Sequence, residues 1–210
     1  MTIKTFNINT DKTAFVRAYL PDSIAGLPFC EKRPAVLIFP GGGYEYCSDR
    51  EGEPIALQYL ALGYAAFVVT YGCNARFPEP LMDAAYIFYK IRMRAEEFKI
   101  DPQKMAVLGC SAGGHLAGCL ATMWSDIALT KTIGCEPEDL RPNAAILCYP
   151  VISGVTAPHE GSFKVLLGED ASRSDLSRLS LENRVTPKTP PIFIWATAND
   201  DCVSAHNSLV

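Results

Sequence analysis

Ser111 lies in the run Gly109-Cys110-Ser111-Ala112-Gly113, a G-x-S-x-G pattern. A serine so placed can attack an acyl carbon if a sharp turn lifts its hydroxyl clear of the chain. The glycines two residues before and after it permit that turn, because a Cβ at either position would crowd neighbouring backbone. Two other groups could serve the same chemistry. Gly41-Gly42-Gly43 frees backbone N–H groups to face an anion, and Asn199-Asp200-Asp201 offers a carboxylate. A phosphate loop is the rival reading of the glycine run, but no Gly-Lys-Ser or Gly-Lys-Thr follows it. Cys110 is a competing nucleophile next to Ser111; the turn geometry favours the serine, with Cys110 packed below.

Each of these groups falls where an apolar run ends. Met105–Leu108 reads as a buried strand, and Gly114-His115-Leu116-Ala117 opens an apolar helix, so Ser111 sits on a strand–turn–helix. The helix N-terminus would bring the N–H of Ala112 beside a developing oxyanion. Arg33–Phe39 is a second buried strand, leading into the glycine run, and Pro191–Ala196 is the last one, leading into Asn199–Asp201. Open α/β sheets place their sites at such strand C-termini.

The remaining elements complete that sheet. Thr5–Ile8 and Ala14–Leu20 predict an antiparallel hairpin at one edge, joined by the turn Asn9-Thr-Asp-Lys12. A helix begins near Glu53-Pro54 and stops at Gly63, followed by a strand over Tyr64–Tyr71. Leu81 to Phe98 predicts one long amphipathic helix, within which Asp83 is an ordinary first-turn charge. Asp101-Pro102 should break the chain before the Ser111 strand. After the helix over His115–Trp124, Ala144–Tyr149 is another buried strand. Residues 152–190 have no strong period and read as an excursion over the sheet, with short helices at Phe163–Leu167 and Leu179–Asn183. A helix starts again at Val203–Val210. The chain thus reads as a single α/β domain over residues 1–210, with a mostly parallel sheet flanked by helices.

Composition narrows the function classes. A net charge of −4 in 210 residues gives no basic surface for nucleic acid or an anionic membrane. The N-terminus has no apolar signal region, and no stretch reaches transmembrane length. Eight cysteines without a C-x-x-C, several inside apolar runs, read as free thiols of a cytoplasmic protein.

The segments Pro40-Gly-Gly-Gly-Tyr44, Ser48-Asp-Arg-Glu51, Gly109-Cys-Ser-Ala-Gly-Gly-His-Leu-Ala117, Leu147-Cys-Tyr-Pro-Val-Ile152 and Pro190-Pro-Ile-Phe-Ile-Trp195 carry a resemblance over nearly the whole chain. Together they resemble the acetyl-xylan-esterase-like carbohydrate esterases of the α/β-hydrolase superfamily. The resemblance implies an α/β-hydrolase fold and a serine carboxylesterase that deacetylates sugars or xylo-oligosaccharides, with no metal and no organic cofactor. It implies Ser111 as nucleophile and an oxyanion hole from the N–H groups of Gly42, Gly43 and Ala112. A D-x-x-V pattern selects Asp200 as the acid. Tyr44 and His159 are then substrate contacts, His159 lying in a stretch that lines the pocket in this family. The same resemblance implies a further strand, a helix and a loop bearing the catalytic histidine, none of which is found before Val210.

Three histidines could substitute. His115 follows Ser111 by four residues and should pack in the core; its i, i+4 pairing with Cys119 lacks a third metal ligand. His206 reads as a surface residue, and His159 as a general base has nothing to fix it against Asp200. The expectation is an incomplete triad, and the alternative to an esterase is a catalytically impaired member or a binder of acylated sugars. A strand at Pro191–Ala196 left at the sheet edge would also promote self-association.

Overall fold

The computed structural model describes residues 1–7, 14–23 and 27–210. The expected turn at Asn9–Lys12 and the end of the first strand at Ile8 lie outside the described residues. Among the described residues, seven strands form one sheet: β1 (Thr2–Asn7), β2 (Phe15–Leu20), β3 (Arg33–Phe39), β4 (Ala65–Thr70), β5 (Ile100–Cys110), β6 (Ala144–Cys148) and β7 (Ile192–Trp195). Their spatial order is β1-β2-β4-β3-β5-β6-β7. β1 and β2 pair antiparallel, as do β2 and β4, and the other neighbours run parallel. The hairpin at one edge and the parallel remainder agree with the sequence pattern. The chain crosses from β4 past β3 to β5, and it is at the C-terminal ends of β3, β5 and β7 that the chemistry-bearing residues emerge.

The central strands are buried on both faces, which is why they read as continuous apolar runs. Ala35, Leu37 and Phe39 of β3 join one core cluster, while Val36 and Ile38 join the other. The larger cluster is covered by α2 (Glu79–Met93) and α4 (Ala112–Met123), the smaller by α1 (Glu53–Ala61). No helix of the described residues is long and apolar enough to cross a membrane.

Several elements differ from the sequence reading. The long helix starts at Glu79 and stops at Met93, and a separate turn, α3 (Ala95–Phe98), follows. Arg94 leaves the helical region, and its guanidinium stacks over the rings of Phe6 and Phe98. Asp83 is more than a surface charge: its Oδ2 accepts from the N–H of Gly72 at 2.9 Å, and burial raises its carboxyl pKa. Asp101-Pro102 does not end β5. Arg33 pairs with Ile100 and Ala35 with Met105, so residues 101–104 bulge against Pro34 alone, and Pro102 costs no ladder hydrogen bond there.

Two short helices went unforeseen, α5 (Ile127–Ile133), capped by Asp126, and α6 (Pro137–Leu140). In the excursion, α7 (Glu160–Leu167) and α8 (Arg173–Leu179) precede a 3-10 turn at Leu181–Asn183. The terminal helix is only a 3-10 turn, Ala205–Ser208. It is anchored by Asn207, wholly buried, whose Oδ1 accepts from the N–H groups of Ile152 and Ser153 at 2.9 and 3.1 Å.

One buried cation aligns the strands beneath the site. The guanidinium of Arg92 donates to the carbonyls of Glu138, Asp139 and Arg141 and to Oδ1 of Asn143. Asn143 in turn accepts from the N–H of Met105 at 2.9 Å, fixing β6 against β5. Burial lowers the Arg92 pKa to about 10, so it stays charged at neutral pH. Arg92→Ala would strand those carbonyls in the interior, and we predict a loss of about 3 kcal/mol of unfolding free energy. Urea denaturation checks this, and a loss below about 1 kcal/mol would contradict it.

Candidate active site

Ser111 is the single residue between β5 and α4, with φ 53° and ψ −120°. A non-glycine residue there is strained, and the surrounding bonds hold it in place. Its N–H donates to the Cys148 carbonyl at 3.0 Å, and its own carbonyl accepts from His115 and Val151, each at 3.1 Å. The flanking glycines permit the close packing. A Cβ on Gly109 would lie 2.0 Å from the Gly113 oxygen, and one on Gly113 would lie 2.1 Å from the Phe39 oxygen. Cys110 is buried under the turn, where its hydrogen bond with Cys148 and its burial push the thiol pKa up and disfavour the thiolate.

The glycine run is a hydrogen-bonded loop held by a carboxylate. Glu51 Oε2 accepts from the N–H of Gly41 at 2.7 Å, and its Oε1 accepts from the Tyr149 hydroxyl at 3.0 Å. The Gly42 carbonyl accepts from Glu45 and Tyr46, and the Gly41 carbonyl from Ser48. Gly42 has φ 128°, and a Cβ there would sit 2.2 Å from the Tyr46 oxygen, so only glycine fits. Among the described residues, the N–H groups of Gly42, Gly43 and Ala112 make no hydrogen bond within the chain.

A cleft of about 420 Å³ brings Ser111 together with Gly42, Gly43, Glu51, His159 and Asp200. Asp200 closes a turn, its Oδ1 accepting from the N–H groups of Cys202 and Val203 at 2.9 and 2.8 Å. His159 caps α7: its Nδ1 accepts from the Ser162 N–H at 3.3 Å, and its Nε2 lies 3.8 Å from the Cys202 sulfur. No histidine side chain hydrogen-bonds the side chain of Ser111 or Asp200 among the described residues. His206 lies exposed in the terminal turn.

Tyr44 is placed differently from the sequence reading. It is 1% exposed and does not line the cleft; its hydroxyl is 2.7 Å from His115 Nδ1. The positive φ of 67° at Tyr44 turns its ring away from the loop's open face and into the core, against Tyr71. His115, between Tyr44 and the Leu179 carbonyl, is a core residue. Glu51 and Tyr149 line the cleft and went unassigned in the sequence, because what they do depends on contacts made across 10 and 98 residues.

Comparison with known proteins gives consistent matches. The BD-FAE family model matches residues 27–210. Endo-1,4-beta-xylanase B of Butyrivibrio fibrisolvens is 37% identical over 184 residues, covering 84% of this chain and 28% of that protein. Acetylxylan esterase of Xylanibacter ruminicola is 32% identical over 206 residues, covering 94% of this chain and 38% of that protein. The chain therefore spans about a third of the length of these curated relatives. Among solved structures, the acetyl ester-xyloside bifunctional hydrolase from Caldicellulosiruptor lactoaceticus superposes with TM-score 0.84 at 33% identity, covering 99% of this chain and 78% of that one. Its likeness and that of a carboxylesterase from Lactobacillus plantarum (TM-score 0.81, 28% identity, 100% and 76% covered) place the sheet and its helices in the α/β-hydrolase fold.

The buried imidazole of His115 makes stability depend on pH. Burial lowers the His115 pKa from 6.5 to about 4. The unfolded chain therefore binds the proton more readily, so this contribution is complete above pH 6.5 and is lost as pH falls toward 4. Between pH 7 and pH 5 the protein should lose about 2 kcal/mol through this group. His115→Gln should remove that part of the pH dependence in urea unfolding; parallel pH profiles for the two proteins would contradict it.

Proposed function

The chain belongs to the BD-FAE family, and on that premise we propose that it is a serine carboxylic ester hydrolase acting on acetylated sugars or xylo-oligosaccharides. The observation that carries this reading is Ser111 at positive φ on a strand–helix turn, facing one cleft with the glycine loop and Asp200. Ser111 Oγ attacks the acetyl carbon, and the N–H groups of Ala112 and of Gly42 or Gly43 bind the oxyanion of the tetrahedral intermediate. The sugar hydroxyl leaves, and water releases acetate from the acyl-enzyme. The serine proton passes to an imidazole base, which returns it to the leaving sugar oxygen; Asp200 is the carboxylate that would orient such an imidazole, and no histidine side chain bonds it among the described residues. His159, which lines the same cleft, contacts the substrate, and Glu51 holds the glycine loop through the Gly41 amide. The substrate class follows from the acetylxylan esterase and acetyl ester-xyloside hydrolase to which the chain is similar. Eight free thiols suit a reducing compartment such as the cytoplasm.

Because no histidine side chain bonds the side chain of Ser111 or Asp200 among the described residues, the second reading is a catalytically impaired member that binds acylated sugars. A base supplied from solution separates the two. Added imidazole should raise acetate release from acetylated xylobiose at least about tenfold with the 210-residue chain and not with Ser111→Ala. Equal release by Ser111→Ala would contradict the serine mechanism. Without imidazole, His159→Ala should change turnover little; a loss of several orders of magnitude would identify His159 as the base.

β7 also provides a contact surface between copies of the chain. No strand pairs beyond it among the described residues, and Phe193 and Trp195 are 62% and 43% exposed. Sedimentation should show concentration-dependent association that Phe193→Lys weakens. A wild-type chain monomeric throughout would contradict this.

A further inference from the structure

Cys47 closes the loop that begins at the three glycines, and Cys73 follows β4; their sulfur atoms are 3.7 Å apart. Both are half-buried, and Cys47 lines an open cavity of about 630 Å³ beside Arg17 and Asp49. The two segments are already joined by backbone. The N–H of Asn74 donates to the Tyr44 carbonyl at 2.7 Å, and its side-chain amide to the Glu45 carbonyl at 2.9 Å. We propose that Cys47 and Cys73 are a redox-active dithiol, which a low-molecular-weight disulfide of the glutathione type converts into a disulfide bond tying the glycine loop to the end of β4. The proposed ester chemistry uses neither thiol, so this inference does not rest on it.

Forming the bond closes the 3.7 Å sulfur separation to about 2.05 Å, between segments that the Asn74 hydrogen bonds already hold together. The two sulfurs share one contact in which either can donate, and Cys47 lines the open cavity. One thiol gives its proton to solvent and, as thiolate, attacks one sulfur of the reagent, whose S–S bond breaks and releases one thiolate. The other thiol then gives its proton to solvent and attacks the protein sulfur of the mixed disulfide, displacing the second thiolate. Two electrons pass to the reagent, and one disulfide becomes two thiols.

The other close pair serves as an internal control. Cys110 and Cys148 sit opposite one another on β5 and β6 but are 1% and 6% exposed, out of reach of the reagent. Cys202 is exposed and should take only a mixed disulfide.

The test treats the folded 210-residue chain with oxidised glutathione, then alkylates the remaining thiols under denaturing conditions and maps the peptides by mass. A cross-linked pair containing Cys47 and Cys73, two hydrogens lighter than the reduced pair and reversed by dithiothreitol, is expected. The thermal midpoint should rise on the order of 5 °C, because the cross-link restricts the unfolded chain. In Cys47→Ser and in Cys73→Ser the cross-link should vanish. Full alkylation of Cys47 and Cys73 after oxidation, or a cross-link joining a different pair, would overturn the proposal.

Discussion

Ser111 occupies a backbone conformation that costs on the order of 1–3 kcal/mol, and the hydrogen bonds around it make any other conformation costlier. Its amide is tied to β6 through the Cys148 carbonyl, and its carbonyl serves both the first turn of α4 and the chain leaving β6 at Val151. Three elements converge on one residue. The glycines at 109 and 113 are required because β5, α4 and the end of β3 approach within distances that no Cβ tolerates. The strain thus follows from close packing at the C-terminal end of the sheet, where it lifts a hydroxyl into an open cleft.

The glycine loop depends on that end of the sheet in a different way. The N–H groups of Gly42 and Gly43 have no partner within the chain among the described residues, while the Gly41 and Gly42 carbonyls are bound within the loop and the Gly41 amide by Glu51. Glu51 also reaches Tyr149, which follows β6 and packs edge-on against Trp195 of β7. The loop after β3 is thereby coupled to the strands on the far side of Ser111. Asn207 performs the matching service for the Asp200 turn, holding the last segment to residues 152 and 153.

What could be read in the sequence was what local rules determine. Buried parallel strands declare themselves as apolar runs, so β3 was located to the residue, and G-x-S-x-G between a strand and a helix marked the turn at Ser111. The errors arose where tertiary contact overrides local preference. Pro102 reads as a break, but a bulge absorbs it inside β5. Tyr44 follows the glycines and reads as a group facing substrate, but a positive φ sends it into the core to meet His115. Glu51, Tyr149 and Asn207 had no local signature, since each works through partners distant in the chain. The choice of Asp200 as the proposed acid rests on the family resemblance, since spacing alone does not separate it from Asp201.

The central claim is that a strained serine and two sets of unpaired amides share one point in space. A crystal structure of the chain with a phosphonate ester captured on Ser111 tests it directly. The account predicts Ser111 near φ 53° and a phosphoryl oxygen within about 3 Å of the Ala112 nitrogen and of the Gly42 or Gly43 nitrogen. A Ser111 in an ordinary helical or extended conformation, or amides pointing away from that oxygen, would contradict it.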